Sequence, residues 1–220
     1  MEYPIRINKY LRDSGLVSRR EADKLVKAGL VFINGKRAEN GQMVNNGEKV
    51  TLKGKPKEYK YFAYYKPRGL PTQDLPGKRS VILDWKKEKV YPIGRLDKES
   101  EGLLLLTNDG RFAREVLSQE KYEKEYVVTV RENLKNDVVK IIGRGMDSKI
   151  LGKLLPAKAK IINKNKISII LHEGKKHQIR IMLEELFYTV TSLKRVRIGK
   201  IKLGQLKPGE FLELSLDQIN

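Results

Sequence analysis

Cysteine is absent from the 220 residues of this chain, which excludes disulfides, thiolate nucleophiles and sulfur-ligated zinc. Histidine is nearly absent too: His172 and His177, five residues apart, are a thin ligand set, and no metal is expected. No apolar run approaches the roughly 20 residues that a membrane-spanning helix needs. No segment sets a lysine-rich face against a Trp/Phe face, as a helix lying in a membrane surface would, and Trp85 is the single tryptophan. Acidic residues are the minority, 27 against 46 Lys and Arg, and the surplus of +19 suits a polyanionic partner. Nucleic acid is expected as that partner, with an anionic membrane the weaker rival. The opening stretch, MEYPIRINKYLRDSG, alternates charged and apolar residues and lacks the apolar core of a signal peptide, so a cytoplasmic location is expected.

A chain of this length builds one or two domains. Residues 1–58 read as a small basic α/β domain. Ile5, Ile7, Tyr10 and Leu11 make a short helical stripe, and Ser18 is placed to cap a second helix over 19–28, closed by Gly29. Ala22, Leu25 and Val26 are its buried face; Arg19, Arg20, Asp23, Lys24 and Lys27 are its wet one. An apolar strand at 30–33, an Asn34-Gly35 hairpin turn and a closing strand at 49–52 follow. Residues 53–59, KGKPKEY, read as a linker. The larger segment, 59–220, offers strands at 61–65, 90–93, 102–107, 125–130, 157–162, 167–172 and 196–203, and helices at 111–117, 134–142 and 176–187. Strands outnumber helices and do not alternate with them, which predicts an α+β fold with a mixed, mainly antiparallel sheet flanked by helices. Residues 1–59 hold 13 basic and 7 acidic side chains, so much of the positive surplus lies in the larger segment.

The run GRLDKESEGLLLLTNDG, residues 94–110, carries the most chemical information. Asp97 sits between Arg95 and Lys98 on a loop that leads into an apolar strand, Leu103 to Leu106. A positioned carboxylate among cations is a candidate nucleophile. The plainer alternative is an Arg95–Asp97 surface ion pair, worth under about 1 kcal/mol. A carboxylate-dependent hydrolase would need a second acid; Glu99 and Glu101 lie on the same loop and read as solvated charges.

This run closely resembles the signature of the RsuA/RluB/RluE/RluF family of pseudouridine synthases, with Ser100 at the Thr/Ser position before GLLLLTNDG. Three further segments resemble the family's motifs. YYKPRG (64–69) matches an NKPxG element, with Tyr65 where Asn is usual and Lys66 either meeting phosphate or capping a strand end. KEYVVTV (124–130) supplies Tyr126, and HEGKKHQIRIML (172–183) supplies Arg180. His177 in this last segment stands where the RluF branch has Arg, although the overall run of residues is nearest that branch. The stretch KYLRDSGLVSRREADKLVKAGLVFINGKRA resembles the ribosomal protein S-four type of RNA-binding domain.

The resemblance implies that Asp97 is the nucleophile, that Arg95 enters the RNA where the extruded uridine had stacked, that Tyr126 packs on the uracil ring, and that Arg180 pairs with Asp97. In the small domain it implies that Arg19, Arg20, Lys24 and Lys27 follow phosphates, with Asn34, Lys36 and Arg37 on the turn beside them. Each has a plainer reading: a solvated helix face, a core tyrosine, or an Arg180–Glu184 pair along one helix. The implied activity is isomerisation of uridine to pseudouridine in ribosomal RNA, large-subunit 23S rRNA ahead of 16S, with a tRNA anticodon-loop uridine as a second substrate. No cofactor is needed for such an isomerisation. The expected partner is rRNA, within a pre-ribosomal particle, and the protein is expected to be a monomer. The rival from another class is a non-catalytic RNA-binding ribosome-assembly factor.

Overall fold

A computed structural model describes residues 1–54, 57–74, 76–118 and 122–219; Lys55 and Pro56 of the expected linker lie outside the described residues. By packing, the chain forms two compact units, Met1–Tyr59 with Asn108–Glu115, and Lys60–Thr107 with Val116–Asn220.

The first unit contains β1 (Ile5–Arg6), α1 (Ile7–Asp13), α2 (Arg19–Lys27), β2 (Val31–Ile33), β3 (Lys36–Arg37), β4 (Met43–Val44) and β5 (Val50–Leu52). Ser18 caps α2, its hydroxyl accepting the Glu21 amide at 3.4 Å. Ala22 and Val26, four residues apart, face the core beside Ile7, Leu11, Val31 and Val44. Asn34 and Gly35 both adopt positive φ, 49° and 80°, the backbone of a tight hairpin turn between β2 and β3. Ile5 departs from the expected helical stripe: it pairs with Val44 across β1 and β4, and the helix begins at Ile7.

The second unit holds β6 (Tyr61–Lys66), α3 (Val81–Asp84), β7 (Tyr91–Pro92), β8 (Glu101–Thr107), most of its helices and the remaining strands. After α4 (Gly110–Ser118), whose first turns pack with the first unit, come β9 (Lys124–Val130), α5 (Asn136–Arg144), β10 (Met146–Ser148), β11 (Gly152–Leu154), β12 (Lys158–Asn163) and β13 (Lys166–Leu171). The chain closes with α6 (Gln178–Glu185), β14 (Val190–Ile198), β15 (Ile201–Lys202), β16 (Phe211–Glu213) and α7 (Leu216–Ile219). Its main sheet runs β12-β13-β9-β14-β8-β6-β16, with β15 beside β14 and β7 beside β8. Only the β14–β8 pair is parallel among the described strands, so the sheet is mixed and mainly antiparallel. Two apolar clusters pack on it. Val128, Ile167, Ile169 and Leu171 meet Val138 and Ile142 of α5 and Ile179, Met182 and Leu183 of α6. Phe62, Tyr64, Leu104 and Leu106 meet Trp85, Val81 and Leu96. Tyr126 packs against both clusters and so lies at their seam.

The strand expected at 196–203 begins earlier, at Val190, and ends at Ile198, where Gly199 and Lys200 turn the chain back into β15. Lysine and arginine alternating with apolar residues mask its start. Short elements such as α3 and the β10–β11 hairpin span less than one clear period and left no signal in the sequence.

Two features fix the loop that precedes β8. Gly102 has φ +104°, and a Cβ there would lie 2.3 Å from the carbonyl oxygen of Arg195, its neighbour across the parallel β14–β8 contact. Only glycine permits that approach. Lys66, at the end of β6, is fully buried rather than open to phosphate, which favours the strand-end reading over the RNA contact. Its ammonium donates to the carbonyls of Pro67 at 2.9 Å and Leu70 at 2.7 Å and reaches that of Lys98 at 3.5 Å. Burial pushes its pKa down to about 8, against the pull of Asp97, Glu99 and Glu101.

Gly102→Ala is expected to lower the unfolding free energy by more than about 1 kcal/mol, because both φ and space are wrong for a side chain; denaturant unfolding of the pure protein checks this. Lys66 yields a pH prediction. The unfolded chain holds this proton up to about pH 10.5 and the folded one only to about 8, so unfolded chains bind more protons in that window and stability rises through it. The stability of the natural chain relative to Lys66→Met should therefore rise between pH 8 and 10.5. A difference that stays flat or falls in matched unfolding curves would show that the ammonium is not held in this way.

Candidate active site

The loop bearing Asp97 is gripped through its backbone on both sides of the carboxylate. Thr72 clasps Leu96, its hydroxyl donating to the Leu96 carbonyl at 2.6 Å while accepting the Leu96 amide at 3.1 Å. Leu96 itself is buried in the core below. On the other side the Lys98 carbonyl accepts the Gly69 amide at 2.8 Å, beside the Lys66 ammonium. A turn closes between them, with the Ser100 amide on the Asp97 carbonyl at 3.0 Å. The YYKPRG segment (64–69) thus holds the acid loop.

Arg180 of α6 and His177, the residue before the helix, approach the same loop. The Arg180 guanidinium donates to the Glu99 carbonyl at 3.0 Å and to the Ser100 hydroxyl at 3.3 Å. Among the described residues no hydrogen bond joins it to the Asp97 carboxylate, although Asp97 lies near enough to oppose the downward push of burial on the Arg180 pKa. His177 stands nearest the acid: its Nε2 is 3.3 Å from Asp97 Oδ1. It occupies the residue before α6 with φ 55°, a left-handed backbone uncommon for a non-glycine residue.

Asp97, Arg95, Lys124, Tyr126, His177 and Arg195 line one cleft of about 510 Å³, a size suited to a small organic ligand or a nucleotide. Arg95 is exposed and donates to the Gln73 side-chain oxygen at 2.9 Å. Lys124 has its pKa lowered by burial and then by the charge of Arg195. Arg195 is 4 % exposed; it gives Nε to the Leu103 carbonyl at 2.8 Å, and its Nη2 has no partner among the described residues. Leaving a buried charged donor unmatched costs more than the about 1–3 kcal/mol of a neutral one. Sequence reading missed His177 and Arg195. His177 had a signal, its place in the HQIR run; Arg195 had only that of a basic residue amid alternating apolar ones.

The acids beside Asp97 are engaged elsewhere. Glu99 pairs with exposed Arg68 at 3.2 Å, and Glu101 accepts the Tyr65 hydroxyl at 2.9 Å, with Lys194 at 3.9 Å. Neither lines the cleft. Tyr65, where the motif usually has Asn, therefore ties down the acid that a hydrolase would need.

In the first unit Arg19, Arg20, Lys24, Lys27, Lys36 and Arg37 are exposed, as is Asn34. The Asn34 side chain is spent on its own turn, accepting the Lys49 amide at 2.9 Å and donating to Glu48 at 3.2 Å. Arg37 lies over the end of α2, where its guanidinium occupies the space a Cβ on Gly29 would need.

The profile of the RNA pseudouridylate synthase family matches residues 60–185, and that of the S4 domain matches residues 5–51. A dual-specificity RNA pseudouridine synthase, RluF, of Escherichia coli is 37% identical over 98% of this chain and 77% of its own length. The ribosomal large subunit pseudouridine synthase B of Bacillus subtilis is also 37% identical, over 97% of this chain and 93% of its own. A crystal structure of a pseudouridylate synthase superposes with a TM-score of 0.72 at 25% identity, covering 98% of both chains. The chain therefore belongs to the RNA pseudouridine synthases of the RsuA/RluB/RluE/RluF family, with an N-terminal S4 domain.

Proposed function

We propose that this enzyme converts a uridine of ribosomal RNA to pseudouridine with Asp97 as nucleophile. The observation that carries the reading is the one cleft shared by a carboxylate, held through its loop backbone, and Tyr126, which offers an aromatic face to a flipped base. Stacking on such a face contributes about 1–3 kcal/mol and tolerates any base orientation, which suits a ring that must turn. The bond from ribose carbon 1′ to nitrogen 1 breaks, and the uracil rejoins through carbon 5. A stacked nucleotide hides these atoms, so it has to be extruded, and exposed Arg95 at the cleft supports the role of filling the gap it leaves. A clasped loop keeps Asp97 in line without reorganisation at the moment of attack.

Large-subunit rRNA is the substrate we favour, supported by the name of the Bacillus subtilis relative. The dual-specificity name of the Escherichia coli relative supports a second RNA substrate, for which we favour a tRNA anticodon-loop uridine. The exposed cations of α2 support RNA binding by the first unit, with the protein acting as a monomer in the cytoplasm on rRNA or a pre-ribosomal particle. The domain boundary we assign is at residue 58.

Asp97→Asn should lower modification at least about 10⁴-fold while RNA affinity stays nearly unchanged. Carbodiimide treatment and primer extension of rRNA from a deletion strain complemented with each version reads this out, and full modification by the variant rules out the nucleophile role. Replacing Arg19, Arg20, Lys24 and Lys27 together with Gln should weaken RNA binding and reduce the salt slope by roughly 0.7–0.9 for each phosphate that is no longer neutralised. An unchanged slope in filter-binding titrations would show that this helix face meets no phosphate.

A further inference from the structure

The cleft carries a cation whose position the nucleophile, the aromatic platform and RNA backbone binding leave unexplained. Arg195 is 4 % exposed, lines the cleft, and has Nη2, itself closed to solvent, without a partner among the described residues. Its neighbour across β9 and β14 is Tyr126, and cross-strand neighbours share one face of a sheet. Its Nε is fixed on the Leu103 carbonyl of β8, one residue beyond Gly102, whose missing side chain admits the Arg195 backbone. The guanidinium is thus tied to the strand that follows the Asp97 loop and stands on the same sheet face as the aromatic ring. Lys124 lines the same cleft. Arg197, two residues on in the same strand, is matched with acids, Glu123 at 3.1 Å and Glu125 at 2.8 Å; Arg195 has no carboxylate partner among the described residues. A buried cation anchored at Nε, with a donor that no described protein group uses, suits negative charge that arises on a ligand during reaction.

We propose that Arg195 holds the uracil through a ring carbonyl oxygen and stabilises it as an anion between detachment and reattachment. The inference rests on the proposed function and deepens it. When the Asp97 carboxylate bonds to carbon 1′, the electron pair of the C1′–N1 bond departs with the base, and the negative charge spreads over nitrogen 1, carbon 5 and the two carbonyl oxygens. Arg195 donates to one of these oxygens while the ring turns on Tyr126. Carbon 5 then bonds to carbon 1′ and displaces the carboxylate; the carbon 5 proton is lost and nitrogen 1 gains one, so the product is an isomer and no redox partner is needed. A guanidinium restrains the free base in the cleft without bonding to it covalently, and so leaves it able to turn.

The test uses full-length protein and transcripts of 23S rRNA, 16S rRNA and tRNA tritiated at uridine carbon 5, made with uridine, 2-thiouridine or 4-thiouridine. Tritium release under single turnover reads the rate, and filter binding reads RNA affinity. Arg195→Gln should release tritium about 10²-fold or more slowly than the natural protein. Arg195→Lys should fall between the two, with RNA affinity unchanged in both. Sulfur accepts hydrogen bonds poorly, so one of the two thio substitutions should slow the natural protein and have little further effect on the variants. Thermal unfolding confirms that the variants fold; Arg195→Lys, which keeps the charge, carries the test if the Gln variant does not. Unchanged rates, a loss confined to RNA affinity, or equal thio sensitivity in protein and variants would overturn the inference. If Asp97→Asn is inactive and both Arg195 variants keep the natural rate, this inference alone fails. If the natural protein modifies none of the uridine transcripts, the proposed function fails with it.

Discussion

The buried ammonium of Lys66 is the contact on which the site depends. A cation under the sheet edge is costly, as its depressed pKa of about 8 records, and backbone carbonyls rather than an acid surround it. Carbonyls cannot move away as a side chain can. The cost of burial therefore goes into fixing the turn at 67–70 and the Lys98 carbonyl together, and with them the backbone beside Asp97. Thr72 completes the grip from the other side, using one hydroxyl as both donor and acceptor to Leu96. A carboxylate on an exposed loop would otherwise sample many positions. Here the freedom is removed during folding, before any RNA arrives.

The same economy governs charge. A surplus of +19 attracts RNA to much of the surface, and attraction of that kind selects no particular atom. Selection needs cations that are fixed, and the structure separates the two kinds. Exposed Arg19, Arg20, Lys24 and Lys27 ride on a helix face, able to follow a backbone in many registers. Arg180 and Arg195 are held by backbone carbonyls, at Glu99 and Leu103. Such anchors leave the net charge intact while removing the rotational freedom that makes surface ion pairs weak.

How far the sequence was legible follows from the length of each signal. The run from Leu103 to Leu106 announced a buried strand, and the four residues are 0–1 % exposed. The Ser18 cap, the Asn34-Gly35 turn and the apolar face of α2 were readable because each is local, its cause lying within a few residues. The grip on the acid loop was not readable. Thr72 and Leu96 are 24 residues apart, and Lys66 and Lys98 are 32 apart; no period or motif links them. Lys66 illustrates the difficulty, since a lysine next to Pro and Gly reads as a surface residue until the carbonyls that surround it are seen. Arg195 is the same case in a strand, where alternation alone would place it at a wet position.

Helix α6 shows why Arg180 and Asp97 belong together without touching. Arg180 lies in the first turn of the helix, and His177 is the residue that precedes the helix. The left-handed backbone of His177 turns the chain as the helix begins, and that residue, not Arg180, stands 3.3 Å from the carboxylate. Arg180 instead clamps the Glu99 carbonyl and the Ser100 hydroxyl, the residues that follow Asp97 in its turn. A direct bidentate pair would occupy both carboxylate oxygens, whereas a clamp on the backbone holds the loop and leaves them free of Arg180, as the proposed nucleophile role requires. The cation therefore acts on Asp97 through geometry first and through its charge at a distance second, and the carboxylate stays open to the cleft in which Tyr126 waits.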